Sequence, residues 1–516
     1  MGKGYGEAGA SRTRRALKGF TAQSGSPIED IDWNNLTLRE RGRMLYMGSA
    51  VAAAAINTNR TKVVGVGLKL KSAVERHVLG LSRESAENWQ DKAEAEFKLW
   101  ASKKENCDAT GLNNFAGMQQ LALMSWLMSG DVFALVKRYE PNACNPYSLR
   151  LHLVEADRVS TPADSATGFM YQRRTDGLNP VTGNKIHDGV EVDSNGMVVA
   201  YHICNTYPRD PGIGKPEWAR VEARGAQVGM PNILHVMNSE RCDQYRGVTY
   251  LAQVIEPLLQ LRRYTESELM AALVQSFFSA FVKTEAALDE IPMNEVGDGG
   301  IAGARQESPE PVVSGENEYS MGPGEVIHLK PGEDVSFSNP TIPTSGFENF
   351  VKVVCQLIGA ALELPYDVLM KVFNRTYSAS RGAILEAWDA FRMRRQWFVD
   401  DFTQPVYEIF LSEAVASGRL KAPGFFEDPL IRAAWCASRW AGPVPGQLDP
   451  TKEAKAGIMQ VDRAVKTHEQ LTHEMGGGNW EENVEQLRQE NEKLRQAGGG
   501  TYMATLADND PDKEGG

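Results

Sequence analysis

Leu251-Ala-Gln-Val-Ile-Glu-Pro-Leu-Leu-Gln-Leu-Arg-Arg-Tyr-Thr-Glu-Ser-Glu-Leu-Met-Ala-Ala-Leu-Val-Gln-Ser-Phe-Phe-Ser-Ala-Phe281 is the stretch whose reading decides the fold. Leu258, Leu261, Leu269, Leu273, Phe277 and Phe281 keep helical spacing, which predicts one long helix. Pro257 either kinks it or opens its second segment. Residues 286–325 are then rich in Gly, Pro, Asn, Glu and Asp and read as an irregular excursion. Glu325-Val-Ile-His-Leu329 and Val335-Ser-Phe337 read as strands around the turn Lys330-Pro-Gly-Glu-Asp334. A helix over 346–362 stops before Pro365, and a polar loop runs to Ser378. A second very long helix follows over 380–416, with Trp388, Phe391, Phe398, Phe402, Val406 and Phe410 on a wide apolar face. Long helices that bracket an irregular segment project it away from the body. That arrangement suits an assembly component better than a pocketed enzyme.

Upstream, Ser49-Ala-Val-Ala-Ala-Ala-Ala-Ile56 predicts a helix whose small side chains let a neighbour approach closely. Val63-Val-Gly-Val-Gly-Leu-Lys-Leu70 reads as a strand with glycines at a bulge or close approach. Ser82 caps an amphipathic helix that carries Trp89, Ala93, Phe97 and Trp100 on one face. A helix over 115–128 ends near Gly130, and strands are expected at 132–136, 149–154 and 198–203. Residues 155–235 are turn-rich, so this half reads as mixed α+β.

Downstream, Asp449 and Pro450 suit the cap and first position of a helix. Trp480, Val484, Leu487, Asn491 and Leu494 step by 4, 3, 4 and 3, a two-heptad seam that reads as an amphipathic capping helix. The tail 498–516 reads as flexible and acidic. At the other end, residues 1–26 read as a disordered basic arm, with Lys3, Arg12, Arg14, Arg15 and Lys18 against Glu7. That arm lacks the apolar segment of a secretory leader.

The chain has 516 residues, enough for about three domains, and a formal net charge of −12. A basic, sequence-reading nucleic-acid binder is disfavoured by that charge. No run is apolar enough to predict a membrane span. The six cysteines are scattered without CxxC spacing, which excludes a zinc ribbon and fits free thiols in a reducing compartment. His468-Glu-Gln-Leu-Thr-His473 places its histidines five apart, so they do not share a helix face as a zinc motif requires. No GxxxxGK[ST] phosphate loop and no GxSxG elbow occur. No catalytic residue, metal ligand or cofactor site is assigned. A metal-dependent nuclease with a helical insertion stays as a rival without the clustered acids or histidines it needs.

Several stretches together resemble the lambda-type portal proteins of tailed bacteriophages. They are the block opening Leu36-Thr-Leu-Arg-Glu-Arg-Gly-Arg-Met-Leu-Tyr-Met47 and running through Ile56, Gln244-Tyr-Arg-Gly-Val-Thr-Tyr-Leu-Ala-Gln-Val-Ile255, and Leu329-Lys-Pro-Gly-Glu-Asp-Val-Ser-Phe337. Further matches are Thr376-Tyr-Ser-Ala-Ser-Arg-Gly-Ala-Ile-Leu-Glu386, Asp449-Pro-Thr-Lys-Glu-Ala-Lys-Ala456 and Gly478-Asn-Trp480. The resemblance covers roughly residues 27–497, and the shared order of the stretches is what makes it specific. It implies a mainly α, α+β portal fold with wing, stem, clip and crown regions, and a ring of about twelve copies at one capsid vertex. It also implies a wing over 27–249 and stem helices at 250–283 and 346–362 around a clip at 284–345. A tunnel loop at 363–378, a long wing helix at 379–420 and a crown at 421–497 complete it. Implied partners are the chain itself, the terminase large subunit, the major capsid protein or scaffold, a head–tail connector or adaptor, and double-stranded DNA passing non-specifically. No cofactor and no membrane are implied; the site is the virion, after assembly in the host cytoplasm. A different head–tail adaptor ring is the nearer rival, although adaptors are normally much shorter.

A conduit must hold DNA without gripping it, and Lys/Arg contacts to phosphate bind tightly and act as brakes. A net charge of −12 per copy fits that need. In the loop 363–378, Glu363 and Asp367 are expected to balance Lys371 and Arg375, and Lys371, Asn374 and Arg375 are the candidates nearest DNA. Tyr377, Ser378 and Arg381 sit where the loop enters the helix and are read as junction or inter-subunit contacts.

Overall fold

The computed structural model describes residues 10–11, 14–20, 22–162, 176–207, 216–226, 229–277, 281–284, 333–336, 346–372, 377–445, 450–475 and 480–496. The chain divides into two compact units, one of residues 1–259 with 354–516 and one of residues 260–353. The fold is α+β and mainly α.

The first unit opens with helix Trp33–Gly48. Ser49 then breaks the run and caps Ala50–Asn59, its side chain accepting from the Ala52 N–H. The alanines do what small residues allow: Ala52 and Ala55 are fully buried. The strand expected over 63–70 is shorter than predicted. Residues Arg60–Val64 form a widened helical turn, and only Lys69–Ser72 is a strand. Two glycines with positive φ explain the difference. A Cβ at Gly65 would lie 2.4 Å from the Pro443 ring and one at Gly67 2.5 Å from Ala116 Cβ, so the chain turns here under close contact.

Ser82 caps helix Arg83–Ser102 as expected, accepting from the Ser85 N–H. Its face of Ala93, Phe97 and Trp100 is buried. Phe97 meets Phe115, Tyr407 and Phe410 edge-on at 5.7, 5.7 and 5.2 Å. These rings join helices Arg83–Ser102, Phe115–Ser129 and Gln404–Ala416 into one aromatic core.

Beside it, Asp131–Arg138 is the middle strand of an antiparallel sheet, flanked by Leu149–Glu155 and Ile233–Met237. A five-stranded antiparallel meander runs from Asp176–Leu178 through Val198–Cys204 to Trp218–Glu222. Phe133, Val154 and Ile233 of the first sheet share a buried cluster with Val190, Tyr201 and Ile203 of the second.

The long helix expected over 380–416 is Tyr377–Phe398, a π turn Val399–Thr403, and Gln404–Ala416. Pro405 is the physical cause. It has no N–H and crowds the preceding turn, and the wider turn, closed by Gln404 N–H on Val399 O, accommodates it. Strand Lys69–Ser72 pairs antiparallel with Ser438–Ala441. Helices Pro450–Asp462, His468–Glu474 and Trp480–Gln496 follow.

Pro257 lies in the first turn of Ile255–Phe277, the helix that leads into the second unit, so it opens the helix rather than kinking it. Phe281, read from sequence as the end of that helix, begins strand Phe281–Thr284 instead. That strand pairs antiparallel with Glu333–Ser336. The expected partner strand 325–329 lies outside the described residues. Tyr264 stacks on Phe347 at 5.6 Å and meets Phe350 edge-on at 4.6 Å, joining Ile255–Phe277 to Phe347–Ala361 within this unit.

Candidate functional site

The loop that follows helix Phe347–Ala361 is anchored at its base by two side chains from other elements, Arg394 and Tyr250. A Cβ on Gly359 would sit 2.4 Å from Leu364 O, so only glycine lets the chain fold back over the helix end. Leu364 N–H donates to Gly359 O at 2.8 Å. Arg394, on helix Tyr377–Phe398, donates to Glu363 Oε2 at 2.5 Å, to Leu362 O at 3.3 Å and to Asn59 Oδ1 at 3.1 Å. Its guanidinium lies 4.9 Å over the Tyr250 ring. Tyr250 donates its hydroxyl to Leu362 O, and burial pushes that hydroxyl up to about 12, so it remains a donor at neutral pH.

Past the anchor, Pro365 leads into the short helix Tyr366–Met370, and Lys371 closes it in the left-handed conformation at φ +56°. Lys371 is exposed and forms no ion pair among the described residues. Of the charge balance expected inside the loop, the half that involves Arg375 lies outside the described residues. Glu363 pairs with Arg394 outside the loop, and Asp367 is buried. Asn374 and Arg375 lie outside the described residues. Tyr377 and Ser378 open the helix, and Arg381 is half-buried and already engaged.

A second charged cluster lies in the first unit, and no candidate residue named it. Arg246 is completely buried. Its Nε donates to Asp131 Oδ2 at 2.6 Å and its Nη2 to Asp131 Oδ1 at 3.1 Å, a bidentate pair. Further donations reach Val159 O at 2.9 Å, Ala156 O at 2.9 Å, and Asp188 O. The Asp188 carboxylate lies 2.8 Å from Arg246 and 3.1 Å from Arg39, which is also fully buried. Burial pushes the Asp131 carboxyl up, but Arg246 and Arg39 override it and hold it well below the usual carboxylate range. Asp32, at the same cluster, goes the other way: burial and then Asp188 raise it to about 7.

The residue after Arg246 is as constrained as the arginine. A Cβ on Gly247 would fall 1.8 Å from Gly130 O, and one on Gly130, at φ +91°, would fall 2.4 Å from Gly247 O. Asn35 Nδ2 donates to Gly247 O at 2.8 Å. The two stretches that opened the family resemblance, around Arg39 and around Arg246, therefore meet in one buried cluster. Their signal in the sequence was the Arg-Gly-Val motif; its clamp role was not legible, because its partners are scattered over Asp131, Ala156, Val159 and Asp188.

A third group of cations gathers at Trp388, whose ring lies 5.9 Å from Lys62 Nζ and 5.8 Å from the Arg395 guanidinium. His468 is not set up as a ligand; its ring stacks on Trp480 at 5.7 Å.

Compared with known proteins, residues 13–395 match the family model described as phage portal protein, lambda family. A probable portal protein of Halomonas phage phiHAP-1 is 23% identical over 465 residues, covering 88% of this chain and 81% of the relative. Among solved structures, a chain from the neck of a native gene transfer agent particle, computed with C12 symmetry, has a TM-score of 0.41 at 13% identity. It covers 85% of this chain and 92% of that one. A chain from the neck of the empty particle, computed with C6 symmetry, has a TM-score of 0.42 at 13% identity, covering 86% and 93%.

Proposed function

Because the chain belongs to the lambda family of phage portal proteins, we propose that its copies close into a ring at one capsid vertex, the channel through which DNA enters and later leaves the particle. The observation that carries this reading is the family match over 13–395, a span that includes both halves of the Arg39–Arg246 cluster. Exposed apolar side chains support it. Leu269, Leu273, Phe350 and Val353 of the second unit stand 45–62% open. A neighbouring copy in a ring is the surface that would cover them.

In this reading the protein has no enzymatic activity of its own, and a separate terminase ATPase supplies the packaging energy. Residues 284–345 form the clip that meets terminase and later the head–tail connector. The loop 363–378 faces DNA, with Lys371, Asn374 and Arg375 nearest it. The anchoring by Arg394 supports that role: the loop is held at its base through Glu363 while Lys371 stands exposed.

Negative-stain electron microscopy of the purified protein tests the assembly. Closed rings are expected; a stable monomer at micromolar concentration in low and moderate salt overturns the reading. Within assembled rings, changing Lys371 and Arg375 together to Ala is expected to impair packaging or DNA retention. Wild-type packaging removes them from the DNA contacts. Deleting 286–320 is expected to abolish terminase or connector docking, and unchanged docking shows the clip to be elsewhere.

A further inference from the structure

Arg392 and Arg395 of helix Tyr377–Phe398 and Arg439 of strand Ser438–Ala441 line one cavity of about 310 Å3, together with Gln396, Ser438 and Trp440. Among the described residues no carboxylate lines it; Asp400 is held by Gln396 Nε2 at 2.8 Å. Arg395 is held there by three backbone carbonyls, of Val63 at 2.9 Å, Lys62 at 2.8 Å and Pro443 at 2.7 Å. It forms no ion pair among the described residues, nor does Arg439. Among the described residues Arg392 pairs with Asp389 on its own helix, an exposed pair at 3.6 Å. Burial, and then Arg392, lower the Arg395 guanidinium to about 10, the sign of a cation short of counter-charge. Guanidinium forks match oxyanions in two-point geometry, so the cavity suits carboxylate or phosphate oxygens.

We infer that this cavity is a carboxylate-binding site and that its occupant is the acidic segment carrying Asp508, Asp510, Asp512 and Glu514. Charge complementarity is the first reason, because this chain of net −12 concentrates three arginines here and four acids there. Spacing is the second. Acids at alternate positions fall on one side of an extended chain, about 7 Å apart, a separation that neighbouring guanidiniums can meet. Reach is the third. On its other side Arg439 lines an adjoining cavity with the carboxylates of Glu87, Asp91, Glu94, Glu469 and Glu481, the last in the first turn of helix Trp480–Gln496. That helix leads away by about 22 Å at 1.5 Å per residue. The twelve residues from 496 to 508 span up to about 40 Å, enough to return. A fourth reason rests on the portal reading: an uncovered arginine cavity binds backbone phosphate and slows sliding DNA. A tethered acidic segment at millimolar effective concentration competes for it.

Hydrogen exchange on the full-length protein reads the contact directly. Amides of 505–516 are expected to exchange about tenfold slower than in the free peptide, a contact of about 1.4 kcal/mol. The paired change R392E and R439E, at exposed positions, is expected to remove that protection, as is neutralising the four acids to Asn or Gln. Combining the two arginine reversals with Lys at 508, 510, 512 and 514 is expected to restore it. Equal exchange in wild type and R392E/R439E overturns the inference. A 30-base-pair duplex followed by anisotropy gives the other arm. The acid-neutralised protein is expected to bind it several-fold tighter, and R392E/R439E to cancel the gain. Equal affinity with and without the acids makes this a phosphate site and overturns the inference. Microscopy of the same samples separates the two readings: rings with an unprotected tail break this inference alone, and absent rings break the portal reading alone.

Discussion

The two compact units differ in what their best-defined contacts are made of. The first buries charge and pairs it most fully at Arg246, which spends its donors on Asp131, Asp188 and three carbonyls with no exposure. The second leaves large apolar side chains open, Leu269 at 62% and Val353 at 53%, while its internal contacts centre on Tyr264 with Phe347 and Phe350. Exposed apolar area costs about 25 cal/mol per Å2 that remains wet, whereas a buried ion cluster costs most when one member is lost. The first unit is therefore fragile to loss of a member of its buried cluster, and in the ring reading a neighbouring copy covers the open face of the second.

The sharpest way to break this comparison is Arg246→Met. It strands Asp131 and Asp188 in the interior, and a loss of about 3–5 kcal/mol is expected in denaturant unfolding, or no soluble protein at all. Gly247→Ala is expected to be similarly severe, because its Cβ meets backbone rather than a movable side chain. If either variant unfolds like wild type, the clamp does not hold the unit together.

Next in size, Leu269→Glu with Val353→Glu is expected to abolish ring assembly in native mass spectra. Monomer stability should shift by no more than about 0.5 kcal/mol, the usual effect of surface changes. Lost folding instead of lost assembly would show that these side chains are internal to the unit.

A smaller effect concerns pH. The Asp32 carboxyl is raised from 3.8 to about 7 in the folded chain, so the folded state holds a proton that the unfolded state has released. Stability from this group is present below about 4 and is lost as pH rises through about 7. Asp32→Asn should remove that slope and be stabilising at pH 8 relative to pH 5, compared with wild type by thermal unfolding at both values. A parallel pair of curves would mean that Asp32 is ionised throughout.

The smallest is Lys371→Gly. Relief of a left-handed lysine is worth about 1 kcal/mol at most, so the melting temperature should rise slightly or stay put. A clear fall would show that Lys371 makes a structural contact.

Local features were largely legible in the sequence. The Ser82 cap, the Trp89–Trp100 face and the Gly130 stop follow from short-range rules, and the structure has each. Pattern also located the long helices. It failed where tertiary contact overrides propensity: the apolar run 63–68 became tight turns against Ala116 and Pro443, and Pro405 turned part of a helix into a π turn. In the candidate loop, the exposed lysine was identified from residue type. The partner of Glu363 was not, because Arg394 is 31 positions away on a helix whose arginines look alike in sequence.

The pairing of Lys69–Ser72 with Ser438–Ala441 sets a schedule for the ribosome. Lys69 opposes Ala441, about 370 positions later and beyond the end of the family match at 395. Phe97, too, waits for Tyr407 and Phe410. At about 5–20 residues per second, the amino-terminal half spends roughly 20–75 s without the strand and rings that close it. During that interval its sheet edge and aromatic surface are exposed together, so a nascent chain of this length is a natural client for chaperones. Copies can meet as finished subunits only after the last third has been made.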